Sequence, residues 1–197
     1  MPCRMLAGVV PPFSAAFLRF FMATVLLLVL LYANEKRLPR LNLTQLAEVL
    51  LLGLTGVLGY NIAFFTGLET VSAGRAGLII ALNPVGIALI SALFGLEALR
   101  AVKVVGVLTS VFGAILVISD GSPALLSKGV GSGELILLGC VLCWALYSVI
   151  GRQAMKDLSP LTAVTYSALA GTLLLSPLAF AEGVQNAIFN YVLNFFT

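Results

Sequence analysis

Two polar pairs stand inside apolar runs of this 197-residue chain: Tyr60-Asn61 within one, and Asn83-Pro84 near the middle of the next. An unpaired polar group in hydrocarbon costs several kcal/mol, so such residues normally face protein or a wet cavity. Pro84 removes a backbone donor and strains the turn before it, while Asn83 brings both donors and acceptors to the groups thereby freed. The chemistry on offer is recognition of a small solute, because a helix broken at the membrane midplane is where a carrier holds its cargo. The competing reading is a packing kink with Asn83 tied to a neighbouring helix. Tyr60 and Phe64 lie four apart and share a helix face, as do Trp144 and Ser148, with Tyr147 beside them. Each of these helices then presents an aromatic surface with a polar edge. The plainer role for Trp144 and Tyr147 is packing in a bundle or anchoring at an interface. Arg19 lies about 12 Å into the first apolar run, where it either pairs with an anionic solute or, as the sequence favours, bonds to carbonyls or snorkels outward.

The composition says what must position these residues. Sixty per cent hydrophobic and ten per cent charged residues, with a mean hydropathy of +1.11, exclude a water-soluble domain. Charges fall between apolar runs of about 20 residues, the length of a membrane-crossing helix, and the short alternation of a membrane barrel is missing. The fold class is therefore all-α, integral to the membrane and polytopic. A net charge of +3 is explained by where the charges fall rather than by a nucleic-acid partner. Cys3, Cys140 and Cys143 form neither a disulfide framework nor a metal set, and the chain has no histidine. Cys140-Val-Leu-Cys143 lies in an apolar helix, where thiols behave as small hydrophobes. With no histidine and no central carboxylate pair, an intramembrane enzyme has no residues to use. A nucleotide-binding glycine loop is also lacking, which argues against ATP-driven transport within this chain, and neither a metal nor a cofactor is expected.

In order, the spacing predicts spans at about 11–33, 45–67, 75–96, 103–119, 133–151 and 161–181. Residues 120–132, rich in glycine and serine, form a linker, and 182–197 is a tail of uncertain structure. The connections 34–44, 97–103 and 152–160 hold seven Lys and Arg against three on the other side. That bias puts them in the cytoplasm and the amino terminus outside. Gly106 and Gly113, seven apart on the fourth span, offer a close-packing face that can support a homodimer. Glu134 and Glu48 are the acidic residues left to couple transport to an ion, since no Asp or Glu lies near a span centre.

The chain also matches itself. PFSAAFLRFFMATVLLL from Pro12 aligns with PLTAVTYSALAGTLLLS from Pro160 at an offset of 148, pairing Thr24 with Thr172. By the charge count the two copies enter from opposite sides, and inverted repeats are a carrier signature. The fifth span should have a partner before Met1, and the second copy stops early, so the chain is expected to be a piece of a longer carrier.

The strings VPPFSAAFLRF, GYNIAFFTGLETVSAGRAGLIIALNPV, FGLEAL, GVLTSVFGAILVIS, GELILLGCVLCWALYSVIGRQ and LSPLTAVTYS together resemble the EamA-type branch of the drug/metabolite transporter superfamily. The resemblance implies two inverted five-helix repeats, ten spans in all, around a central cavity lined in part by the second, third and fifth spans here. Residues 11–119 are then a first repeat without its first helix, and 133–181 the start of a second. Glu97 resembles the family's acidic residue at the cytoplasmic end of its helix, where Arg100 and Lys103 make a loop-locking ion pair the natural role. The expected function is secondary transport of amino-acid-like or related small organic solutes across the cell membrane. The alternative is a truncated membrane fragment that does not transport.

Overall fold

The computed structural model describes residues 11–36, 38–96, 101–118 and 131–184, and their regular structure is helical throughout. Helix α1 (Pro12–Glu35) starts on the proline pair, whose missing donors are not needed in a first turn, and ends where Lys36 turns left-handed. There the Lys36 N–H donates to the Tyr32 carbonyl at 2.8 Å. Asn42 opens α2 (Leu43–Leu52) with a reciprocal cap: its side chain accepts from the Gln45 N–H at 2.8 Å, and the Gln45 side chain accepts from its own N–H at 3.0 Å. The chain continues through a π-helical segment, Gly53–Gly59, into α3 (Tyr60–Leu68).

Helices α4 (Ala73–Ile80) and α5 (Asn83–Leu93) are two halves of one apolar run, interrupted at Ala81 and Leu82. The Leu82 N–H reaches back only three residues, to the Ile79 carbonyl at 3.0 Å. Pro84 has no N–H to give the Ile80 carbonyl, which is why the ladder breaks where the sequence places the proline. Helices α6 (Ala101–Ile118), α7 (Ser132–Ala154) and α8 (Pro160–Ala181) follow, the last capped by Ser159. Among the described residues, five runs are long and apolar enough to cross a membrane: 12–35, 43–68, 73–93, 132–154 and 160–181. The span expected at 103–119 corresponds to α6, an 18-residue helix.

The chain divides into two compact units. In the first, α1 and α8 run antiparallel, held at both ends and in the middle. Ser14 donates its N–H and its hydroxyl to Glu182 Oε2 at 2.8 and 3.2 Å. Thr24 and Thr172 hydroxyls meet at 3.0 Å. Glu35 Oε1 accepts from the Ser159 and Thr162 hydroxyls at 3.1 and 3.2 Å. Each helix thus carries at its amino-terminal turn a carboxylate from the carboxyl-terminal end of its partner, which also suits the helix dipole. The π-helical segment lies against α8 so closely that a Cβ on Gly53 would stand 2.6 Å from the Gly171 backbone nitrogen. Small residues allow that approach, as is usual between membrane helices. The outward side chains of α1, among them Met22, Leu26, Val29 and Leu30, are exposed and apolar, the surface a bilayer requires.

The second unit holds α3 to α7. Its core joins Val71, Ala76, Ile79, Leu137 and Cys140, with Tyr60, Ala63, Phe64 and Leu68 packed against them. Gly67 meets Leu137 and Gly86 meets Val141, so α3 and α5 both press onto α7 through glycines. Cys140 is buried, unoxidised and directs its thiol to the Tyr60 carbonyl at 3.7 Å, the behaviour of a small core residue.

Candidate functional site

The site lies within the second unit, where the α4–α5 break adjoins an open cleft. Asn83 begins α5, and its Oδ1 is buried without a hydrogen-bond partner. That oxygen is not tied to a neighbouring helix, as the packing-kink reading requires. Burying an acceptor unsatisfied is expensive, and an orphan of this kind calls for an explanation. Pro84 and the first turn of α5 form one wall of a cavity of about 640 Å³, Gly106, Val107 and Ser110 of α6 a second, and Ser148 and Arg152 of α7 the third. The lining is mostly apolar with a few polar groups, the usual make-up of a small-molecule site. Arg152, in the last turn of α7, donates from Nη2 to the Ser91 hydroxyl at 2.6 Å, fixing its guanidinium at one end of the cleft.

A run of rings involves the same helix, α7. Tyr60 stacks on Phe64 at 6.1 Å between centroids and meets Trp144 at 5.7 Å, and Trp144 stacks on Tyr147 at 5.3 Å. Ser148 follows Trp144 one turn later and donates to its carbonyl at 2.8 Å, so the rings and the cleft share one stretch of helix.

The structure therefore brings Tyr60, Phe64, Trp144 and Tyr147 into one cluster and sets Pro84 and Ser148 on the cleft. Asn61, 2% exposed in the packed interior, and Asn83, the neighbour of Pro84, are not among the residues that line the cleft. Arg19 is exposed on α1 with its guanidinium carbon 4.9 Å from the Phe20 ring centroid, a cation–π contact that fits the structural role. Glu97 lies outside the described residues. Glu134 is engaged by Arg75 at 3.6 Å, whereas Glu48 Oε2, in the first unit, is buried with no hydrogen-bond partner. Sequence reasoning missed Arg152, Ser91 and Ser110. The signal for the first was present: Arg152 follows Ser148 by four residues and so shares its helix face.

The EamA-like transporter family model matches residues 3–119 and 131–196, nearly the whole chain. The chain belongs to the EamA-like transporter family. It is a multi-pass helical membrane protein of that family, similar to several curated transporters. The uncharacterized transporter YyaM of Bacillus subtilis is 32% identical over 83% of this chain and 54% of its own length. The uncharacterized transporter YetK of the same organism is 26% identical over 88% of this chain and 53% of its own. The aromatic amino acid exporter YddG of Ancylobacter novellus is 29% identical over 74% of this chain and 50% of its own. The chain thus spans about half the length of the curated relatives it matches. No solved structure matches it.

Proposed function

We propose that this EamA-like chain serves secondary transport of small, partly aromatic organic solutes across the cell membrane, with its solute site at the α4–α5 break. The observation that carries this reading is Asn83 Oδ1, buried and unpartnered in a broken helix whose next residue borders an open cleft. In this reading a solute that reaches past Pro84 supplies the missing donor. The ring cluster around Trp144 favours solutes with a flat apolar body. The name of the exporter YddG points the same way, toward aromatic amino acids.

Alternating access needs two halves that rock against a fixed site, and in our reading residues 11–119 and 133–181 belong to two inverted repeats. What supports this is the Thr24–Thr172 bond, which joins two residues separated by 148, the offset of the internal match, on antiparallel helices. Gly113, where a Cβ would meet nothing within 4 Å, leaves room for a homodimer contact, whereas the open space at Gly106 is the cleft it lines.

Counterflow of labelled phenylalanine into liposomes holding the purified chain tests the proposal. Saturable uptake, competed by unlabelled aromatic amino acids, is expected. Flux no higher than in protein-free liposomes would reject it and favour the non-transporting alternative.

A further inference from the structure

We propose that the connection between α1 and α2 carries a phospholipid-headgroup site, in which Arg40 holds the phosphate and Glu35 the primary ammonium of a phosphoethanolamine headgroup. The site lies within the first unit and depends neither on the solute cleft nor on transport.

Three observations carry it. The first is a pair of opposite charges that do not meet. Glu35, Leu38, Pro39 and Arg40 line a cavity of about 700 Å³. Glu35 commits its Oε1 to the Ser159 and Thr162 hydroxyls at 3.1 and 3.2 Å, and among the described residues it forms no ion pair with Arg40. A carboxylate and a guanidinium therefore border one space without neutralising each other, and a ligand whose anion and cation lie a few bonds apart satisfies both. The second is depth. One membrane-crossing run ends at Glu35 and the next begins at Leu43, so the connection between them falls at the level of the headgroups. Tyr32, Leu38 and Leu43 stand exposed around it, a surface for the glycerol backbone and first acyl carbons that a water-soluble zwitterion would leave bare. The third is rigidity. The Tyr166 hydroxyl donates to the Pro39 carbonyl at 2.8 Å, Pro39 fixes its own φ, and Asn42 and Gln45 cap each other two residues past Arg40. The cavity wall is thus set before a lipid arrives, which lowers the cost of binding.

This arrangement discriminates between headgroups. Phosphatidylcholine has no N–H to give Glu35, and phosphatidylglycerol would bring an anion to Glu35 with no cation to answer it. An Arg40 that serves only as a topology charge predicts otherwise: phosphatidylglycerol would bind best, or all three lipids alike.

The test is the thermal unfolding midpoint of the detergent-solubilised whole chain, titrated with phosphatidylethanolamine, phosphatidylcholine and phosphatidylglycerol of identical acyl chains. We expect a saturable rise with phosphatidylethanolamine, half-complete at a concentration at least about tenfold lower than for the other two, as charge-assisted pairs allow. Arg40→Gln should raise that concentration at least about tenfold. Glu35→Gln, whose amide oxygen still accepts from Ser159 and Thr162, should make phosphatidylethanolamine and phosphatidylcholine equal. A cooperative transition without added lipid reports that each variant is folded. Equal response to the three lipids, a preference for phosphatidylglycerol, or a phosphatidylethanolamine preference that survives Arg40→Gln would overturn the proposal. So would an equal rise with soluble phosphoethanolamine at the same concentration, which would make the cavity a site for a dissolved zwitterion.

Discussion

Thr172 spends its only hydroxyl proton on the Ala168 carbonyl at 2.7 Å, so the bond between the two threonines must run from Thr24 as donor to Thr172 as acceptor. Polar contacts between membrane helices are worth about 1 kcal/mol. Thr24→Val is therefore expected to lower the thermal stability of the detergent-solubilised chain by about that much, with Thr24→Val and Thr172→Val together costing less than the sum of the two single changes. Asn83 predicts the opposite pattern. Because its Oδ1 satisfies no neighbour, Asn83→Leu should leave the unfolding midpoint unchanged or raise it, while solute binding falls by at least about tenfold. A destabilised Asn83→Leu would show that the side chain holds the fold instead. Asn83 was legible from sequence because a polar residue in an apolar run stands out. Arg152 was not, because an arginine at the end of a span looks like a topology charge until Ser91 is seen beneath it.

At the scale of elements, the α4–α5 break and the glycine contacts carry the architecture. Pro84→Ala would return a donor to the Ile80 carbonyl, but Pro84 stands in the first turn of α5, where proline costs well under the ~3 kcal/mol of a helix interior. The variant should be modestly more stable to heat, and, with the break in the proposed site, slower in counterflow. Faster flux would contradict this. Gly171 is the reverse case: Val57 and Gly53 of the π-helical segment lie directly over it. Gly171→Leu should yield chain that aggregates on extraction, read as loss of the monodisperse peak in size-exclusion chromatography. Span existence could be read from apolar length and the break from Pro84. The π-helical segment could not, because Gly53, Gly56 and Gly59 permit several backbone paths and only packing against α8 selects one. The ring cluster was half legible: i,i+4 spacing put Tyr60 with Phe64, but the meeting of Tyr60 with Trp144 depends on how α3 lies on α7.

For the whole molecule, family membership and helical class were both readable in composition and motif order, since a bilayer allows few folds to so apolar a chain. The charge bias leads us to expect the Glu35 clasp at the cytoplasmic end of α1 and the Ser14–Glu182 clasp at the outer end. The claim on which the account turns is that the break at Asn83 opens to a wet, solute-holding cavity. Its most direct test is thiol labelling of Asn83→Cys, in a background with Cys3, Cys140 and Cys143 replaced by alanine, using a water-soluble maleimide on open membranes. The account predicts labelling at position 83 that phenylalanine protects in a saturable way, with a lipid-facing control at Leu26→Cys unlabelled. A position 83 thiol as unreactive as that control, or one labelled equally with and without any aromatic solute, would contradict it.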